Sequence, residues 1–364
     1  MTRHRTNPIG FSARTGRSAY QVAVLLFALL LVATSANSVR GQRGGEAYCA
    51  LRDPNRSIFE LFPKATGFTS SVRNMIRSRE MLNKKLPYKL HFNELGRHTL
   101  YIALEGSVPI GIVHVRPAAH EWGLVEVAWA LDLDLNVLGF KIQRCRSRHR
   151  RQIESDAFRK QLLGCGKGDF ESLLRDSGYG VNLERISVPK DATDLVAAVL
   201  RSGLSSLVIT EAVWPKLLGE RRLQHRAAIA FGKKARVTLL GMPYIPRVMK
   251  HLESLDPTRQ KSGSIFQRHR ALAARAVDPK AASKRLGYVL RTVCAIDKKN
   301  LELWWVVDAA GKIAAVDSDW QDARLRAGFQ EVVGATRSEL GECLTPAQIA
   351  AFEVLAVCEG LDLK

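Results

Sequence analysis

The sequence predicts an α+β protein in which an antiparallel sheet meander with packed helices occurs twice. Three observations carry that expectation. The stretch from Gly123 to Cys145 reads as two strands joined by a tight turn: Val125, Val127 and Trp129 alternate with Glu126, Ala128 and Ala130, and Val137, Gly139 and Ile142 follow a polar turn at Asp132 to Asn136. The same pattern returns 176 positions later, where Leu301 to Val316 lies over Val125 to Phe140 without a gap. Each repeat then ends in an amphipathic helix with its own start and stop signals.

The chain begins with Arg3, Arg5, Arg14 and Arg17, followed by an apolar run from Ala19 to Ala36 and then small residues. This layout reads either as a cleaved export signal or as a retained membrane anchor. In both cases the bulk of the chain lies outside the cytoplasm, which disfavours nucleic acid as a partner. Residues 1–45 therefore form a leader with an Arg/Gly-rich spacer. Asp53-Pro54 starts a helical turn carrying Ile58, Leu61 and Phe62, and Ser70 to Leu86 reads as a helix that is basic on its outer face. Strands are expected at Tyr88–Phe92, Thr99–Leu104 and Ile110–Arg116. Asp191 is a candidate cap for a helix whose apolar face carries Leu195, Val196, Val199 and Leu200, with Gly203 at its exit. Leu207 to Thr210 reads as a closing strand. The first domain thus spans 46–214.

Residues 215–285 hold seventeen Lys/Arg against four Asp/Glu, with little sustained periodicity apart from Arg236–Leu240 and a helical patch near Gln267–Val277, so they read as a partly helical basic connector. The second, smaller repeat occupies 286–364. Its hairpin shares Glu302, Trp305 and Asp308 with Glu126, Trp129 and Asp132. Ala157 to Gly164 resembles Gly328 to Gly334, and Thr345-Pro346-Ala347-Gln348 forms a capping box.

The 364 residues suffice for two domains with cores, and a net charge of +20 with pI near 10.0 favours an anionic partner such as a membrane surface. Lys141 to Lys160 is the densest basic stretch, reading as a solvated arginine face or a docking surface for phosphate or anionic lipid. The six cysteines contain no C-x-x-C, and Cys49 with Cys145 is a candidate bridge in an oxidising compartment, buried free thiols being the alternative. His225, His251 and His269 lack metal-ligand spacing. Asp132-x-Asp134-x-Asn136 lacks the glycine and distal glutamate of a calcium loop and reads as a turn. No G-x-S-x-G, H-E-x-x-H or P-loop pattern occurs, so no catalytic residue is nominated.

The order of strand, W-x-[apolar]-D hairpin, short F…G helix and capped helix resembles the FMN-binding domain of the membrane-anchored flavin subunits in Rnf and sodium-pumping NADH:quinone reductase complexes. The resemblance covers roughly Tyr88 to Thr210, and more weakly Leu286 to Leu361. It implies an exported or membrane-anchored FMN-binding-like protein associated with a membrane electron-transfer complex, the flavin supplying the redox chemistry. The family's S-G-A-T element starts the last helix, and its threonine can carry FMN through a phosphodiester. Here the matching residues are Lys190-Asp191-Ala192-Thr193. Thr193, Ala192 and Lys190 are thereby the expected phosphate contacts, FMN being held without a covalent bond or through Thr193, and Trp129, His98 and His114 are candidates near the ring. Asp191 opposes a phosphate at that place. A literal Gly334-Ala335-Thr336 sits by position in the F…G element instead. The altered motif supports a second reading, a flavin-free scaffold or binding module at the membrane surface.

Overall fold

The computed structural model describes residues 48–240, 272–281, 284–296, 299–318, 323–340 and 345–362, and Ala47–Lys364 form one compact unit. The expected leader, with its apolar run, lies outside the described residues, as does Cys343. The fold is α+β, with two five-strand antiparallel meanders packed against helices. The first sheet runs β2 (Gly67–Asn74), β3 (Arg97–Glu105), β4 (Val108–His120), β5 (Gly123–Leu131) and β6 (Val137–Arg144). A two-residue β1 (Tyr48–Cys49) pairs in parallel with the start of β3. Short strands β7 (Leu174–Arg175) and β8 (Gly180–Val181) pair with each other, and the second sheet runs β9 (Arg236–Leu240), β10 (Leu272–Val277), β11 (Arg285–Ile296), β12 (Lys299–Asp308) and β13 (Ile313–Ser318).

Both faces of the first sheet are covered, so β5 alternates large against small side chains rather than apolar against polar. Its small side, Ala128 and Ala130, packs with Val113, Val115 and Tyr101 under Ile58 of α1 (Pro54–Leu61) and its C-cap Phe62. Asp53 caps that helix by accepting from the Arg56 N–H at 3.0 Å. The large side, Val125, Val127, Trp129 and Leu131, meets the helices that follow β6: α2 (Asp156–Lys160), α3 (Lys167–Leu173) and the long α4 (Thr193–Val213). The second sheet is covered alike. Leu223, Ala227 and Phe231 of α5 (Pro215–Phe231) lie on Val289 and Trp304. The opposite core joins Trp305 and Leu290 to Phe329 of α6 (Ala323–Gln330) and to Ala351 and Val354 of α7 (Pro346–Asp362).

The repeat extends to hydrogen bonds. The β5–β6 ladder slips between Ala130 and Leu131, and β12–β13 slips between Val306 and Val307, 176 positions on. The slip between Ala103 and Leu104 beside β4 recurs between Ala276 and Val277 beside β11. Gly164 donates to Val137 O and Val137 donates to Cys165 O; Gly334, Ile313 and Ala335 repeat both bonds. A Cβ on Gly111 would strike the Phe62 ring and Leu131 O, and one on Gly287 would strike the Phe231 ring and Val307 O. The sheets therefore pack glycine to aromatic at the same point.

Several elements differ from the sequence expectation. Ser70–Asn74 is strand, followed by short helical turns to Asn83, because eight rungs with β3 outweigh the local helical pattern. Tyr88–Phe92 is not a strand and leads into a short turn at Phe92–Glu94. Leu207–Thr210 belongs to α4, whose residues from Leu195 to Thr210 are all buried, so no exposed charged face reveals its period. Gly203 lies in mid-helix against the Phe170 ring, and Ala192 rather than Asp191 is the N-cap. At 21 residues α4 is also long and apolar enough to cross a membrane, but 83% of its most apolar window is buried in this core.

The basic connector is folded where it is described, and Leu272–Val277, expected within a helical patch, is strand because it pairs with β11. The connector's described residues supply α5, β9 and β10, the start of the second repeat. Two α5 arginines are held by acids of the two repeats: Arg222 lies 3.2 Å and Arg226 3.5 Å from Asp134 in the β5–β6 turn, and Arg226 also pairs with Asp317 of β13.

Candidate functional site

The residues expected to hold FMN do not form one site. Ala192 is buried as the N-cap of α4, while Lys190 and Thr193 are exposed beside it. Asp191 is exposed with φ at 58°, and the Asp194 carboxylate in the first helical turn accepts from the Glu121 N–H at 2.8 Å. Trp129 is elsewhere and fully buried: its indole N–H donates to Ser202 Oγ at 2.9 Å, and Phe170 stands edge-on to it. Ser202 follows Thr193 by nine residues, roughly 13 Å along the helix. Trp129 therefore offers no face to a group held at Thr193, and the four residues do not fit a bound flavin. At Gly334-Ala335-Thr336, the Thr336 N–H and hydroxyl both donate to Glu339 Oε2 at 2.7 Å.

His98 and His114 do come together, with an arginine that the sequence did not flag. On β4, Ile112, His114, Arg116 and Ala118 point to the α4 side, and His98 joins them from β3. The His98 and His114 rings meet edge to face at 5.6 Å, and Trp214 packs edge-on against His114 at 5.5 Å. Facing them, α4 carries Ser202, Ser206 and Thr210 at four-residue intervals, with Ser205 beside them. The result is a buried polar seam through an otherwise apolar core.

Within the seam, the Arg116 side chain donates from Nε to Ser205 Oγ at 3.2 Å and from Nη1 to Glu94 O at 3.1 Å; Nη1 also lies 3.2 Å from His98 Nδ1. His98 Nε2 donates to the same Glu94 carbonyl at 3.0 Å. His114 Nδ1 and Thr210 Oγ1 are 2.9 Å apart, and Ser202 Oγ donates to Arg116 O at 3.0 Å. Burial and then the neighbouring Arg116 charge hold both imidazoles neutral, His114 down to about 3 and His98 well below its ordinary value. Arg201, also buried, donates to the carbonyls of Gly178 and Ala119. Among the described residues neither arginine has a carboxylate partner. The sequence signal for the seam was the alternation Ile112-x-His114-x-Arg116 and the Ser/Thr spacing on α4, visible only once Leu207–Thr210 is read as helix.

Cavities also open among the described residues of the second repeat. One of about 740 Å³ opens beside α5, between Ile229, Phe231, Trp304 and Val306, with Arg226 stacked 4.6 Å over Trp304. Another, about 430 Å³, includes Arg285, Thr336 and Cys358, and its Arg337 is held by both Glu359 oxygens at 2.8 Å. Neither is lined by any residue of the expected flavin set. Cys49 and Cys145 are free thiols rather than a bridge; burial pushes the Cys49 thiol up to about 12. Among the described residues no group of three His, Cys, Asp or Glu side chains is placed to hold a metal ion. In comparisons with known proteins, no family model matches the chain and no curated protein matches it.

Proposed function

We propose that this chain is a flavin-free binding module at a membrane surface, built from two FMN-binding-domain-like repeats and exported or tethered by its N-terminal apolar run. The observation that supports this reading is the sealed core at Trp129: its indole N–H is bonded to Ser202 and its ring is enclosed, which leaves no ring face there for a flavin. The acids beside Thr193 support the same reading, since Asp191 and Asp194 repel a phosphate at the helix start. The contact surface is the basic stretch after β6. Lys141, Arg144 and Arg150 are paired with Glu60, Glu126 and Glu154, while Arg146, Arg148 and Arg151 are exposed and free of ion pairs among the described residues. Such side chains suit an anionic lipid surface, at about 1 kcal/mol for each that reaches it.

The test is to express the full chain in an exporting host, locate it by fractionation and record the visible spectrum of the purified protein. Colourless protein that takes up no added FMN is the expected result. Yellow protein overturns the flavin-free reading, and acid precipitation then separates the cases: colour left in the supernatant means free FMN, colour in the pellet a covalent link to be checked with Thr193→Ala.

A further inference from the structure

The seam in the first repeat contains donors with no acceptor. Arg116 is wholly buried, yet its Nη2 has no hydrogen-bond partner; neither has Ser206 Oγ or His114 Nε2, and both of those residues are wholly buried too. Buried polar atoms are nearly always paired, by the protein or by something bound to it. Ser202 bonds to the backbone of Arg116 and Thr210 bonds to His114, so Ser206, one helical turn from each, faces β4 between them. Arg116 Nη2 can only donate and the Ser206 hydroxyl can donate; His114 Nε2 joins them in the tautomer in which Nδ1 accepts from Thr210.

The charge points the same way. Glu94 offers Arg116 its backbone carbonyl, while its carboxylate accepts from the His91 N–H. The remaining polar neighbours, His98, Ser205 and Ser202, are neutral. A guanidinium taken out of water without a counter-charge is costly, and the usual remedy is an anion beside it. The frame does not require the arrangement. In the second repeat the positions of His114 and Arg116 are taken by Leu290 and Thr292, the same slips and turn bonds are kept, and Thr292 accepts from the Trp305 indole at 2.8 Å.

We propose that the seam of the first repeat binds a single small monovalent anion of the halide class, held by Arg116 Nη2, Ser206 Oγ and His114 Nε2. The occupant is compact because the walls are close: Arg116 to Ser205, Arg116 to His98 and His114 to Thr210 are all within 3.2 Å. A phosphate-sized oxyanion would part these contacts. The anion supplies both the missing acceptor and the missing charge, whereas a water molecule supplies only the acceptor. This assignment is independent of flavin and of the membrane reading.

The test uses the full chain, with thermal unfolding followed at constant ionic strength while sodium chloride or bromide replaces sodium gluconate, whose anion is too large to enter. A saturable rise in Tm of roughly 5 °C is expected once the halide is well above its dissociation constant. Arg116→Met should abolish the halide dependence, and Ser206→Ala, which removes one oxygen from a folded core, should move the midpoint to higher halide. Bromide-grown crystals should show anomalous density between Arg116 and Ser206. Equal Tm in halide and gluconate, an unaltered midpoint in Ser206→Ala, or ordinary water density there overturns the proposal. The crystal and Ser206→Ala readings stand even if Arg116→Met fails to fold.

Discussion

The turn at Asp132–Asn136 and the turn at Asp308–Lys312 close in the same way. In each, the aspartate N–H donates to the residue four on, and its carboxylate accepts from that residue's N–H, at 2.7 Å in the first repeat and 2.9 Å in the second. A few rungs away the repeats part company. The first buries His114 and Arg116 under a Ser/Thr stripe of α4; the second buries Leu290 under Ala351 and Val354 of α7. The features that agree set strand register and helix approach. The features that differ fill the space between sheet and helix, where a side chain can change without moving the backbone. The lesson is that the frame and the core contents answer to different constraints, and only the frame is common to both repeats.

The most damaging way to break the comparison is at its shared contact. Gly111→Ala and Gly287→Ala each place a Cβ against an aromatic ring and a backbone carbonyl, and the carbonyl cannot move without loss of the ladder. Each should cost about 3 kcal/mol in urea unfolding. If the two positions are equivalent, the losses will be similar; a loss at Gly111 with none at Gly287 would show that the second contact is not structural.

The hairpins were legible because they align without gaps and carry Trp and Asp at matching places. The opening of the second repeat was not. Phe231 stands for Phe62 at an offset of 169 positions and Ala276 for Ala103 at 173, so a constant offset of 176 passes them by. The α5 arginines made the stretch look like a solvated linker, whereas Arg222 and Arg226 are fixed by Asp134 and Asp317, acids distant in sequence. For the site, Thr193, Ala192 and Lys190 fall together because they are consecutive, but Trp129 is a core residue whose partner Ser202 only the fold reveals. Arg116 escaped notice because one charge near the end of an apolar strand looks like a strand reaching solvent.

A second comparison concerns acid. His114 is held at about 3 in the folded chain, against 6.5 ordinarily, and His98 shifts the same way. Between those values the unfolded chain binds more protons than the folded one, so stability falls as pH falls. The contribution is intact above pH 6.5 and is lost from there towards pH 3, at about 1.4 kcal/mol per pH unit for each histidine. His114→Leu installs the second repeat's residue and should flatten the decline of the urea midpoint between pH 7 and pH 5. An unchanged slope would mean that His114 is protonated in the folded state.

The smallest effect separates two solutions to one turn. Leu135 has φ at 70° and Gly311, its equivalent, has φ at 77°. The left-handed region costs a residue with a Cβ roughly 1–2 kcal/mol, so Gly311→Ala should lose about 1 kcal/mol through the backbone alone. Leu135 tolerates the same φ because its side chain is buried in the first core, a gain of about 2 kcal/mol that offsets the strain. Leu135→Gly relieves the strain but forfeits the burial, and should also lose about 1 kcal/mol. Leu135→Asn distinguishes the causes, because asparagine accepts the backbone and brings no apolar surface. It should resemble Leu135→Gly if burial governs the turn in the first repeat, and resemble the wild type if the backbone does.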